Sequence, residues 1–111
     1  MAFISNPEPG VLTLAGEIDL HESPLVREEL RRILEKRPLR LLVDLSEVDY
    51  IDSSGLATLV EAMQRLNAYG GKLGLFGVRG NIRNIFHIAR LDQVFQIFPD
   101  KAAAVASLNR P

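Results

Sequence analysis

An apolar run that ends on a pair of hydroxyls constrains this chain more than any other feature. Leu41-Leu42-Val43-Asp44-Leu45 has the make-up of a strand buried on both faces. Asp52-Ser53-Ser54-Gly55 then stands at the start of a strongly periodic segment in which Leu56, Leu59, Val60, Met63 and Leu66 mark one face of a helix. Two hydroxyls therefore sit where a helix begins, past the end of a central strand. In open α/β sheets that edge is where ligands and partners usually bind.

A strand buried on both faces needs covering layers, and the chain is long enough to supply them once. Its 111 residues, 47% hydrophobic and 24% charged, fit one domain over 1–111 with one core. The net charge of −1 gives no support for a nucleic-acid partner. The absence of cysteine excludes disulfides, thiolate chemistry and zinc sites built on Cys, and fits a reducing compartment. No apolar run approaches a membrane span, and the N-terminus lacks the basic and apolar regions of a signal peptide. The expectation is a cytoplasmic protein without a membrane partner.

Ala2 to Ser5 and Val11 to Ala15 read as two strands of an antiparallel hairpin, with Asn6-Pro7-Glu8-Pro9-Gly10 as the turn. Gly16 to His21 reads as a loop carrying two acids. Ser23-Pro24 opens a helix, with Ser23 as its cap and Val26, Leu30, Ile33 and Leu34 on its buried face. Its early acids and late bases match the helix dipole and read as a solvated surface, and Pro38 stops it. The central strand runs from Arg40 to about Leu45, and the second helix from near Ser54 to a left-handed cap at Gly70-Gly71.

Lys72 to Val78 reads as a further strand, in which Gly74 implies a close approach by another element. Ile82, Ile85, Phe86 and Ala89 make a short amphipathic helix, Leu91-Asp92 a turn and Val94 to Phe98 an edge strand. Lys101 to Leu108 is a last helix with Ala104, Val105 and Leu108 facing in. The order β-β-α-β-α-β-α-β-α predicts an α/β fold with a mostly parallel sheet and right-handed crossovers.

At Ser53 the unpaired N–H groups of a helix start favour an anion. Asp19, Asp44, Asp49 and Asp52 on the same edge oppose one. A phosphate there adds about −1.5 to −2 charges, and the two effects are each on the order of 1 kcal/mol. Phosphorylation should therefore leave the fold nearly unchanged and act on whatever protein docks. The plain alternative is that Asp52, Ser53 and Ser54 form an ordinary helix cap. Two serines and a glycine exceed what a cap needs, and Gly55 permits a close approach by another chain.

The stretch Leu42 to Leu56, Leu-Val-Asp-Leu-Ser-Glu-Val-Asp-Tyr-Ile-Asp-Ser-Ser-Gly-Leu, closely resembles the signature of STAS domains, the family of bacterial anti-sigma factor antagonists. Gly16-Glu17-Ile18-Asp19 resembles the family's second marker, and Leu91 to Phe98 its C-terminal edge, so the resemblance covers nearly the whole chain. Ala57 and Arg90 depart from it, each standing where glycine is common.

The resemblance implies the STAS fold: a mixed, mostly parallel sheet of four to five strands with helices mainly on one face. It also implies an antagonist that binds an anti-sigma factor, itself a serine kinase, when unmodified. Phosphorylation of the first serine of the motif, here Ser53, releases it, and a serine phosphatase resets it. Asp19, His21, Asp52, Ser54 and Gly55 are the expected partner-binding residues. A related role is that of an assembly module in a transporter or signalling complex, with no phosphorylation switch.

Other chemistries fit less well. Asp44 at a strand end is reminiscent of a receiver domain, but receivers begin β-α and this chain begins β-β. Asp19, His21 and Ser53 could meet as a hydrolase triad, yet the glycines of a nucleophile elbow are missing. His87, beside Phe86, reads as a half-exposed structural residue. Neither phosphate-binding glycine motif is present, and two scattered histidines make no metal-ligand set. No catalytic activity, metal or cofactor is expected.

Overall fold

A computed structural model describes residues 2–109. Five strands, β1 (Ala2–Glu8), β2 (Val11–Ile18), β3 (Arg40–Ile51), β4 (Lys72–Phe76) and β5 (Gln96–Phe98), form one sheet in the order β1-β2-β3-β4-β5. The β1–β2 pair is antiparallel and the other three pairs are parallel. The helices are α1 (Ser23–Glu35), α2 (Ser53–Ala68), α3 (Gly80–Ile88) and α4 (Lys101–Leu108). A single 3₁₀ turn, Leu91–Gln93, precedes β5.

The strand order explains where the helices lie. From β2 to β5 each parallel strand is laid beside the last in one direction. Crossovers of one hand then place α1, α2 and α3 on the same face. The core agrees: Leu12, Leu14, Leu41, Val43, Leu45, Leu73 and Leu75 pack with Val26, Leu30, Leu59, Leu66, Ile82 and Phe86. Only α4, which follows the last strand, lies on the other face, where Ala104 and Leu108 meet Val11, Leu42 and Phe76. A Cβ on Gly74 would lie 3.1 Å from side-chain atoms of Leu108, Leu42 and Phe98, so the close approach expected there is made by α4 and β5. Val105, expected to face in, is 38% exposed.

Several boundaries differ from the sequence reading. β1 continues through Asn6 and Pro7 to Glu8, and only Pro9 and Gly10 turn. The ladder skips from Ser5↔Thr13 to Glu8↔Val11, so Pro7 sits in a bulge where no N–H is required. β4 stops at Phe76 because Gly77 takes φ +71. Val94 lies before β5, not in it, and is exposed.

The larger differences position the site. β2 extends through Gly16-Glu17 to Ile18, where a loop was expected, and β3 extends to Ile51, six residues beyond the expected end at Leu45. The two pair along this extension with two irregularities, between Thr13 and Ala15 and between Gly16 and Glu17, where β3 carries an extra residue each time. Beyond Asp44 the far side of β3 has no strand against it, since β4 pairs only as far as Phe76. Polar side chains take over there. Asp44 Oδ1 accepts from the Ser46 amide at 2.9 Å. Arg79 Nε donates to Ser46 O at 2.9 Å and Asn81 Nδ2 to Asp49 O at 2.8 Å. Arg79 also pairs with Asp49 at 2.7 Å. Asp44 and Asp49 are thus structural acids of the bulged strand.

Candidate functional site

The extended ends of β2 and β3 deliver two segments side by side: the turn Asp19–Glu22 leading into α1, and Asp52 leading into α2. The Asp52 amide donates to Ile18 O at 3.2 Å, which continues the sheet to its last residue. Asp52 is extended, with φ −104 and ψ −174, and caps α2. Its Oδ1 accepts from the amides of Ser54 at 2.9 Å and Gly55 at 3.1 Å, and from the Ser54 hydroxyl at 2.5 Å. Its Oδ2 accepts from the Leu20 amide at 3.1 Å. These donors, the Ser54 hydroxyl foremost, hold the Asp52 carboxyl below the usual aspartate range.

That arrangement corrects one expectation. The start of α2 is not an open anion site, because the Asp52 carboxylate already occupies the Ser54 and Gly55 amides. A phosphate on Ser53 would meet a neighbouring carboxylate more than free N–H groups.

The two serines differ. Ser53, the first residue of α2, is exposed and its hydroxyl is not part of the Asp52 network. Ser54 is half-buried, with its Oγ between Asp52 Oδ1 and Ser23 Oγ, the latter 2.9 Å away. Gly55 is buried, and a Cβ on it would lie 2.7 Å from Ile18 O and from Ile51 Cγ1. The close approach that Gly55 permits is therefore made by this chain's own β2 and β3 ends.

Asp19 is half-buried and its Oδ1 accepts from the amides of His21 at 3.0 Å and Glu22 at 3.1 Å. These bonds order the turn ahead of α1; the cap position is Glu22, not Ser23 as expected, and no side chain caps this helix. Ser23 lies inside the helix, makes no side-chain cap bond, and donates to Asp19 O at 2.7 Å. Asp19 therefore meets the backbone of His21, which does not build the relay of a hydrolase triad. His87 pairs with Asp92 at 2.8 Å on the outside of α3.

Two exposed apolar side chains near the start of α1 were missed by the sequence reading. Leu20 is 75% exposed and Leu25, in the first turn of α1, is 59% exposed. Their signal was available: both stand among polar residues and off the Val26-Leu30-Ile33 stripe. Together Asp19, Leu20, His21, Asp52 and Ser53 form a mixed apolar and acidic rim with one exposed hydroxyl.

A family model described as the STAS domain matches residues 2–104. The anti-sigma-B factor antagonist of Listeria monocytogenes is 37% identical over 84 residues, covering 76% of this chain and 74% of that protein. Among solved structures, an anti-sigma factor antagonist from Mycobacterium paratuberculosis superposes with a TM-score of 0.85 at 24% identity, covering 99% of this chain and 94% of the other. The Bacillus cell fate determinant SpoIIAA in its phosphorylated form superposes with a TM-score of 0.69 at 16% identity, covering 96% and 99%.

Proposed function

The chain belongs to the STAS domain family, and we propose that it is an anti-sigma factor antagonist switched by phosphorylation of Ser53. The observation that carries this reading is the contrast at the tip of α2. Ser53 is exposed, while Ser54 is held inward by Asp52. One hydroxyl of the pair is open to a kinase and to a docking partner.

In the unmodified form the rim of Asp19, Leu20, His21 and Ser53 meets the anti-sigma factor, a serine kinase. Asp52, Ser54 and Gly55 shape the rim from below through the cap and the contact with Ile18. The kinase moves the γ-phosphoryl of ATP to Ser53 Oγ; the bond to the bridging oxygen breaks, ADP leaves, and the hydroxyl proton passes to a base on the kinase. The product dianion lies beside the Asp52 carboxylate, whose position the helix amides hold. Forced against a partner surface shaped for a neutral hydroxyl and an exposed leucine, that charge is costly, and the complex separates. A serine phosphatase restores the neutral form. The chain itself acts as a binding protein and phosphate acceptor, in the cytoplasm, without a cofactor.

The reading is tested by capture from native cytosol with wild-type, Ser53→Ala and Ser53→Glu protein. Wild type and Ser53→Ala should retain the same kinase-active partner, and Ser53→Glu should lose it. Equal capture by all three variants contradicts an electrostatic switch.

A further inference from the structure

We propose that Ser23 is a positioning residue for the Ser53 edge: its buried hydroxyl braces the Asp19–Glu22 turn against the first turn of α2. The docking consequence rests on the function proposed above; the brace itself rests on geometry alone.

Among the described residues, Ser23 and Thr58 are the buried polar side chains, at 2% and 1% exposure. Burying a hydroxyl is unfavourable unless it is hydrogen-bonded. Ser23 satisfies its own by reaching across 31 positions of sequence to Ser54 Oγ at 2.9 Å, and locally to Asp19 O at 2.7 Å. Since it caps nothing at α1, the serine is not explained by helix initiation.

Counting protons fixes the direction of the brace. The Ser23 and Ser54 hydroxyls carry one proton each but take part in three contacts. The Ser54 proton goes to the Asp52 carboxylate, because a charge-assisted bond is the strongest available. Asp19 O already accepts from the amides of Glu22 at 3.1 Å and Ser23 at 2.8 Å. The Ser23 proton is then shared, donated to Asp19 O at 2.7 Å and to Ser54 Oγ at 2.9 Å, which ties the turn through Ser23 to Ser54 and on to Asp52. Asp52 Oδ2 closes the ring by accepting from the Leu20 amide. One carboxylate thus holds the Leu20 turn directly and through two hydroxyls. Without Ser23 Oγ the turn keeps its own bonds to Asp19, and its tie to the start of α2 rests on the exposed Leu20 amide.

The test is amide hydrogen exchange by NMR on the full chain, with Ser23→Ala, Ser54→Ala, the double variant and Ser23→Thr. Leu20 and His21 report the turn, and Leu45 and Leu75 in the core report global opening. Losing one hydrogen bond should speed exchange at Leu20 and His21 about tenfold relative to the core amides. Ser54→Ala should do the same, the double variant should add nothing further, and Ser23→Thr should restore slow exchange. The proposal is overturned if Ser23→Ala moves turn and core amides equally or not at all, or if the two single effects add. Cytosolic capture by the same variants separates the two ideas. If Ser53→Glu still binds as wild type does, the proposed function fails, while the exchange data alone decide the brace.

Discussion

Asp52 Oδ1 lies 2.5 Å from Ser54 Oγ, and this contact divides two adjacent serines into one that faces the protein and one that faces out. The same oxygen receives the first amides of α2, so the cap and the sorting of hydroxyls are one arrangement. Removing it has measurable consequences for stability, and removing its neighbours has consequences for binding.

Asp52→Ala should cost about 1 to 2 kcal/mol by uncapping α2, a fall in Tm of about 5 to 10 °C for a domain of this size. Asp52→Asn should cost less, since asparagine caps almost as well. The carboxyl is held below its ordinary range by the Ser54 hydroxyl and by backbone donors. Its folded pKa is below its unfolded one, so the ionised form contributes fully above about pH 4 and loses that contribution as pH falls through the folded value. Urea unfolding from pH 7 to pH 3 should show the gap between wild type and Asp52→Asn narrowing on the acid side. A gap that stays constant contradicts the assignment.

Gly55→Ala should destabilise by about 1 to 3 kcal/mol. The new Cβ would lie 2.7 Å from the backbone oxygen of Ile18, which cannot swing away as a side chain does. Thermal unfolding measures the loss, and a neutral outcome would mean that α2 is not seated against β2 as described.

Arg90→Gly should stabilise the chain by about 1 kcal/mol. Arg90 is exposed and takes φ +62 at the start of the 3₁₀ turn, a conformation that costs an L side chain more than glycine. Calorimetry on the two proteins is sufficient, and an unchanged or lower Tm would contradict the strain.

Leu20→Ala should leave stability within about 0.5 kcal/mol of wild type, as for an exposed side chain. Its effect should fall on the partner captured from cytosol, with affinity reduced severalfold. Unaltered capture would place the docking surface elsewhere.

The element order and the core were legible because periodicity and burial agree: Leu41, Val43 and Leu45 read as core strand, and Leu59 and Leu66 as a buried stripe, and all are buried. The ends of β2 and β3 were not legible. Ser46, Glu47, Asp49 and Tyr50 carry no alternation because the bulges break it, and the strand is held there by Arg79 and Asn81, 30 or more positions away. Ser23 was misread for a related reason. A serine before a proline has the local chemistry of a cap, and nothing local reveals that its hydroxyl points at another helix. Arg90 was read only as a departure from the resembled STAS pattern, and its left-handed backbone, φ +62, was not drawn from that departure.

The most direct measurement is to incubate the chain with ATP and the kinase recovered from its native cytosol, then map the modified residue by mass spectrometry. Phosphate on Ser53, and none on the Ser53→Ala protein, is the expected result. Phosphate on Ser54, or on neither serine, would contradict the division of the two hydroxyls between a partner and the fold.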